Sequence, residues 1–189
     1  MDETLILGLG GAGCEIAAHL QRALGGRAVA VGTDQTALSQ ADLSERLLIG
    51  PKLCQGYSAL RVERGKQAAE ESREELKELL TGAQTLVLAA GLGGGTGTGA
   101  APVIARLALE MGMTVIAVVT LPFTFETGRR GRALMGLSEL LSAGIELLVY
   151  DHNETMHGEM KNHSFVSVLN KASDELAAKL LAHLRKIHE

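Results

Sequence analysis

The run Gly91-Leu92-Gly93-Gly94-Gly95-Thr96-Gly97-Thr98-Gly99 lies between the apolar stretches Leu86–Ala90 and Ala100–Ala105. That order predicts a buried strand, a glycine turn and an apolar helix. Successive glycine N–H groups can turn inward and approach a ligand closely, and the following helix adds unpaired N-terminal donors and the positive end of its dipole. Such a turn is a phosphate cradle. Thr96 and Thr98 add hydroxyl donors, and Pro102 is expected in the first helical turn, where its missing N–H costs nothing. A flexible glycine linker is the competing reading, but linkers are not usually bracketed by a strand and an apolar helix.

A second turn of this kind opens the chain. Leu5-Ile6-Leu7 reads as a strand, Gly8-Leu9-Gly10-Gly11-Ala12-Gly13 as its turn, and Ile16, Ala17 and Leu20 as the apolar face of a helix. The spacing Gly8, Gly10, Gly13 is also the fingerprint of NAD and FAD enzymes. Asp34, closing the next strand over Ala28–Thr33 about 20 residues on, supports that oxidoreductase reading. It leaves the second glycine loop unexplained. From Gly65 to Leu80 the residues Ala68, Ala69, Leu76, Leu79 and Leu80 form one helical stripe. No Gly-Lys-Ser/Thr occurs, so the P-loop class is excluded.

The glycine run, with Thr120-Leu121-Pro122-Phe123-Thr124-Phe125-Glu126 downstream, resembles the nucleotide-binding domain of the FtsZ/tubulin family of GTPases, on the bacterial cell-division side. The match runs from about Gly65 to Glu126 and more loosely over the whole chain. It implies a three-layer, doubly wound, mostly parallel α/β sheet, Rossmann-like, with GTP or GDP across the strand ends and Mg²⁺ beside the phosphates. One nucleotide then accounts for both loops. The resemblance gives the phosphates to Gly10, Gly11, Gly94, Gly95, Thr96, Gly97 and Thr98, with Asp34 beside them, and adds Ala12, Cys14 and Gly93 to the nucleotide-binding residues. It gives the ribose to Glu126, with Thr120 and Pro122 in register, and the base to Asp174 with help from Arg130 and Asn153. A carboxylate suits a vicinal diol because it accepts two hydrogen bonds.

Three positions depart from the family pattern. Glu15 replaces an asparagine and is repulsive if it faces phosphates; Arg61 falls in the segment that senses the terminal phosphate, where a solvated surface arginine is the default; Leu169 replaces the aromatic that stacks on guanine. The histidines at 152, 157 and 163 match no metal-ligand spacing and read as polar loop residues.

Residues Ser164 to His188 read as one long helix with a seam of Phe165, Leu169, Ala172, Leu176, Leu180, Leu184 and Ile187. Its other side carries Lys171, Glu175, Lys179, Arg185 and Lys186, a face that expects water. The family's second domain, with its hydrolysis-completing carboxylate loop, has no counterpart, so the expectation is one FtsZ/tubulin-like domain over 1–189 with weak or partner-dependent hydrolysis. The expected partner is a full-length FtsZ-like protein or a second copy. Net charge is −4 with 21% charged residues, which gives no electrostatic case for nucleic acid. No apolar run reaches membrane-spanning length, and the start lacks a signal peptide's basic region, so the cytoplasm is the expected compartment.

Overall fold

Six apolar segments pair side by side because each is followed by helix that carries the chain back over the sheet before the next strand begins. The chain runs β1 (Thr4–Leu9), α1 (Gly10–Leu24), β2 (Arg27–Gly32), α2 (Gln35–Gln40), β3 (Glu45–Leu48), α3 (Pro51–Cys54), α4 (Val62–Glu71), α5 (Arg73–Leu80), β4 (Thr85–Gly91), α6 (Gly95–Glu110), β5 (Thr114–Leu121), α7 (Thr127–Ser142), β6 (Glu146–Asp151) and α8 (Phe165–Ile187). This computed structural model describes residues 3–153 and 165–187, with side chains in α8 over 171–183. All six strands are parallel, in the order β3-β2-β1-β4-β5-β6. The expected doubly wound α/β fold is therefore present.

Two apolar layers sandwich the sheet. On one face Leu5, Leu7, Leu88 and Val119 pack with Ala68, Leu76, Ile104 and Leu140 from α4–α7; on the other Ile6, Val87 and Val118 pack with Ile16, Leu20, Leu176 and Leu180 from α1 and α8. Burial on both faces is why the central strands read as continuous apolar runs. The seam expected of α8 is buried at Ala172, Leu176 and Leu180. Phe165, Leu169, Leu184 and Ile187 have side chains outside the described residues.

Two local expectations change. The helix after the glycine run starts at Gly95, so Pro102 lies in the helix interior and not in its first turn. An interior proline costs about 3 kcal/mol in an isolated helix. Here α6 is buried along most of its length between the sheet, α4 and α7, and that packing outweighs local propensity. The stripe over 65–80 splits into α4 and α5 at Ser72, which is buried and accepts the Gly50 N–H on its hydroxyl at 3.0 Å. A serine hydroxyl spent on distant backbone bends the stripe without interrupting its buried face.

Candidate functional site

The strand order reverses between β1 and β4, and both glycine turns leave the C-terminal ends of these two strands. That crevice is where open parallel sheets hold ligands. Gly10 takes φ +66°, and a β-carbon there would lie 3.6 Å from Thr96 Cβ and 3.7 Å from Gly97 N, so the two turns face each other in near contact. Neither α1 nor α6 has a side-chain cap or an acidic residue in its first turn. Two sets of helix N-terminal donors thus converge without a carboxylate to neutralise them, which favours an anion.

Thr33 at the end of β2 ties a third loop to these turns. Its Oγ1 lies 3.0 Å from Thr96 Oγ1 and accepts the Ala59 N–H at 3.0 Å. The corner they enclose, about 110 Å³, is lined by Gly10, Gly11, Thr33, Asp34, Ser58 and Thr96 among others. Asp34, which lines this corner, caps α2 by accepting the Ala37 N–H at 3.0 Å on Oδ1, and its Oδ2 makes no capping bond among the described residues. Cys14 donates its thiol to Gly8 O at 3.2 Å, and burial pushes its pKa up to about 11, so it stays a neutral packing group.

The glycines divide into two kinds. A β-carbon at Gly11 or Gly94 would meet nothing within 4 Å. One at Gly13 would sit 2.5 Å from Ala89 O, at Gly95 2.8 Å from Arg61 N, at Gly97 2.7 Å from Gly91 O, and at Gly99 2.1 Å from Val62 O. These four let helices and strands touch backbone to backbone, a role separate from the inward-facing donors expected of the run. Thr98, at 1% exposure, accepts the Gly93 N–H at 2.7 Å and so braces the turn from inside. Thr98→Val is expected to cost about 1–3 kcal/mol by leaving that N–H unpaired. Thermal denaturation checks it at about 2–4 °C per kcal/mol, and an unchanged Tm would show that the bond contributes nothing.

Beyond the Thr33–Thr96 corner, a cleft of about 200 Å³ is lined by Ala12, Glu15, Gly91, Thr120, Pro122, Phe123, Glu126, Arg129, His152 and Ser173 among others. Glu126 lines it, with Oε1 accepting the Phe123 N–H at 3.2 Å and Oε2 held by Arg129 at 2.7 Å. Arg130 does not line it. Its guanidinium forks onto Asp151, with Nη1 2.7 Å from Oδ1, and Nη1 also donates to Pro122 O at 2.7 Å. Arg129, one residue earlier, is the arginine at the cleft; the Glu126–Arg129 i,i+3 spacing was the available signal.

Asn153 accepts the Thr124 N–H at 2.9 Å and donates to Asp151 at 2.6 Å, bracing the loop after β5. Asp174, 77% exposed, lies 3.8 Å from His19 Nδ1 and outside the lining of the cleft. Glu15 lines this cleft and is absent from the lining of the Thr33–Thr96 corner. Arg61 is exposed and makes no side-chain bond among the described residues. His152 corrects the expectation of a polar loop residue: it is buried against Phe123 and Tyr150, and burial pushes its pKa down. Positions 157 and 163 lie outside the described residues. Among the described residues no three His, Cys, Asp or Glu side chains cluster as a metal site, and no helix is long and apolar enough to cross a membrane.

Comparison with known proteins agrees with this geometry. The family description "Tubulin/FtsZ family, GTPase domain" matches residues 3–161. The chain belongs to the Tubulin/FtsZ family. It is 38% identical over 175 residues to "Cell division protein FtsZ 1" of Pyrococcus abyssi, an alignment covering 90% of this chain and 46% of that protein. Among solved structures, the empty FtsZ dimer of M. jannaschii superposes with TM-score 0.84 at 33% identity, covering 94% of this chain and 52% of the other. The GTPγS-bound CetZ2 protofilament of Haloferax volcanii gives TM-score 0.81 at 27% identity, covering 95% and 57%. The chain thus spans about half the length of the FtsZ relatives it matches. Membership in the Tubulin/FtsZ family disfavours the NAD or FAD oxidoreductase reading, and both glycine turns now face one site.

Proposed function

We propose that this Tubulin/FtsZ-family domain binds GTP and GDP across the β1/β4 crevice and hydrolyses GTP slowly or only with a partner. The observation that carries the reading is the convergence of two uncapped helix N-termini beside a cleft bearing Glu126. The di- or triphosphate sits over Gly10, Gly11, Gly94 and Thr96, where backbone N–H groups and helix dipoles balance its charge. The ribose lies against Glu126, which must exchange its Arg129 contact for the sugar hydroxyls. Asp174 reaches the base only if it leaves His19. The chemistry of the corner fits Mg²⁺, since that ion keeps most of its waters and needs one or two carboxylates besides the phosphates; Asp34 Oδ2 is the group in place. Bound there, Mg²⁺ would screen phosphate charge.

The partner we infer is an FtsZ-like protein or a second copy, in a cytoplasmic role in division or filament regulation. The names of the relatives support this: Pyrococcus abyssi FtsZ 1 is a cell-division protein, and the CetZ2 structure is a protofilament. Whether residues 1–189 function as a single domain is tested by the intact mass of the protein from its source cell.

The decisive experiment denatures purified protein, identifies any released nucleotide by chromatography, and titrates GTP, GDP and NAD with Mg²⁺ by calorimetry. Binding of GTP or GDP without NAD supports the proposal; NAD binding alone, or no binding, overturns it. Glu126→Gln is expected to weaken GTP binding roughly 10- to 150-fold, the loss of one charge-assisted hydrogen bond of about 1.5–3 kcal/mol. An unchanged affinity would remove Glu126 from the site.

A further inference from the structure

The Gly93–Gly94 peptide is held in an unusual way. Gly93 adopts φ +106°, a conformation side-chain-bearing residues rarely take, and a β-carbon there would collide with Arg129 O at 2.9 Å. Its N–H donates to the buried Thr98 hydroxyl at 2.7 Å, and its carbonyl accepts from Arg132 Nε at 3.1 Å. Arg132 stands on α7, which packs on the sheet face opposite α1. In a trans peptide the carbonyl and the following N–H point in opposite directions. Drawing the Gly93 carbonyl toward α7 therefore turns the Gly94 N–H away from α7, toward the side on which the Gly10–Gly11 turn lies.

From this geometry we propose that Arg132 is the positioning residue of the glycine loop, and that its hydrogen bond to Gly93 aims the Gly94 N–H at the bound phosphate. The proposal deepens the nucleotide-binding reading and rests on it for its ligand. Gly94 suits the role, because its own α-carbon faces open space. Among the described residues no carboxylate pairs with Arg132, so its Nε–H stays committed to Gly93 without competition from a neighbouring acid. An unclamped peptide of two glycines could rotate, and each binding event would then bear the entropy of ordering it.

The test uses the full chain with Arg132→Met, which removes donor and charge, and Arg132→Gln, whose amide still donates but carries no charge. GTP and GDP are titrated by calorimetry, and the Gly94 amide is followed by ¹⁵N-resolved NMR without nucleotide. Aiming by the hydrogen bond predicts affinity about tenfold weaker in Arg132→Met and within about threefold of wild type in Arg132→Gln. The Gly94 amide shift should move in the methionine variant and stay in the glutamine variant. Equal binding by Arg132→Met and wild type overturns the inference, as does an equal loss in both variants with Gly94 unmoved. Should Arg132→Met fail to fold, Arg132→Ala takes its place: a loss of about tenfold with a displaced Gly94 amide supports the inference, and wild-type binding or an unmoved Gly94 amide overturns it. If wild type binds neither nucleotide, the nucleotide reading fails, and the Gly94 shift still decides whether Arg132 orients this peptide.

Discussion

Gly99→Ala is expected to be among the most damaging small substitutions in this chain, although it adds one methyl group to a helix. The new β-carbon would lie 2.1 Å from Val62 O and 2.7 Å from Lys66 N, both backbone atoms of α4 that cannot rotate aside. Alanine improves helix propensity by about 1 kcal/mol, whereas forcing two packed helices apart costs about 1–3 kcal/mol and more when backbone must move. The expected net loss is at least about 2 kcal/mol, a fall in Tm of roughly 4–8 °C or more for a chain of this size. Gly94→Ala is the control: its β-carbon enters open space and its backbone, at φ −86° and ψ 175°, suits any residue. It should keep wild-type Tm and bind GTP about tenfold more weakly by crowding the close approach of phosphate to backbone. Paired melting curves and titrations check both, and a stable Gly99→Ala would show that α4 and α6 can separate freely.

Removing Arg130 should weaken the fold and alter its acid limb. The Arg130–Asp151 pair joins the start of α7 to the end of β6, its side chains are about one-fifth exposed (19% and 20%), and Arg130 also holds Pro122 O. Losing one partner of a fully buried pair costs about 3–5 kcal/mol; partial exposure reduces this to about 2–3 kcal/mol for Arg130→Met. Arg130, followed by Asn153's N–H groups, holds the Asp151 carboxyl at a pKa of about 2, below its ordinary 3.8. A lowered carboxyl pKa contributes stability that is complete above the unfolded value and is lost as pH falls through the folded one. The window is therefore pH 4 down to pH 2, with about 2 kcal/mol at stake. Urea unfolding across pH 2–7 should show the Arg130→Met deficit above pH 4 and convergence with wild type near pH 2. A constant gap across that range would show that the pair is not its source.

Much of the layout was readable in the chain. Glycine turns between apolar strands and helices announce a parallel α/β sheet, because strand burial on both faces and backbone freedom are local properties of composition and period. The α8 seam at Ala172, Leu176 and Leu180 was legible for the same reason. The glycine run itself was less transparent. Sequence shows that the backbone can turn or approach closely there, and only the fold shows that Gly94 faces open space while Gly95, Gly97 and Gly99 admit neighbouring backbone.

Side-chain partners were the part that sequence left open. Ser72 meets Gly50 across 22 residues, Arg130 meets Asp151 across 21, and Thr33 meets Thr96 across 63. Each residue type has several good local uses: a helix arginine can face solvent, a phosphate or an acid, and a threonine can cap, brace or bind. The sequence by itself determined the strand–turn–helix units, the apolar faces and the family. The tertiary structure decided that Arg129 and not Arg130 faces the cleft, that Glu15 lines that cleft, and that Pro102 lies inside α6. The physical reason is range: backbone conformation and periodic burial are set by near neighbours, while a polar side chain takes the partner that distant strands bring within about 3 Å of it.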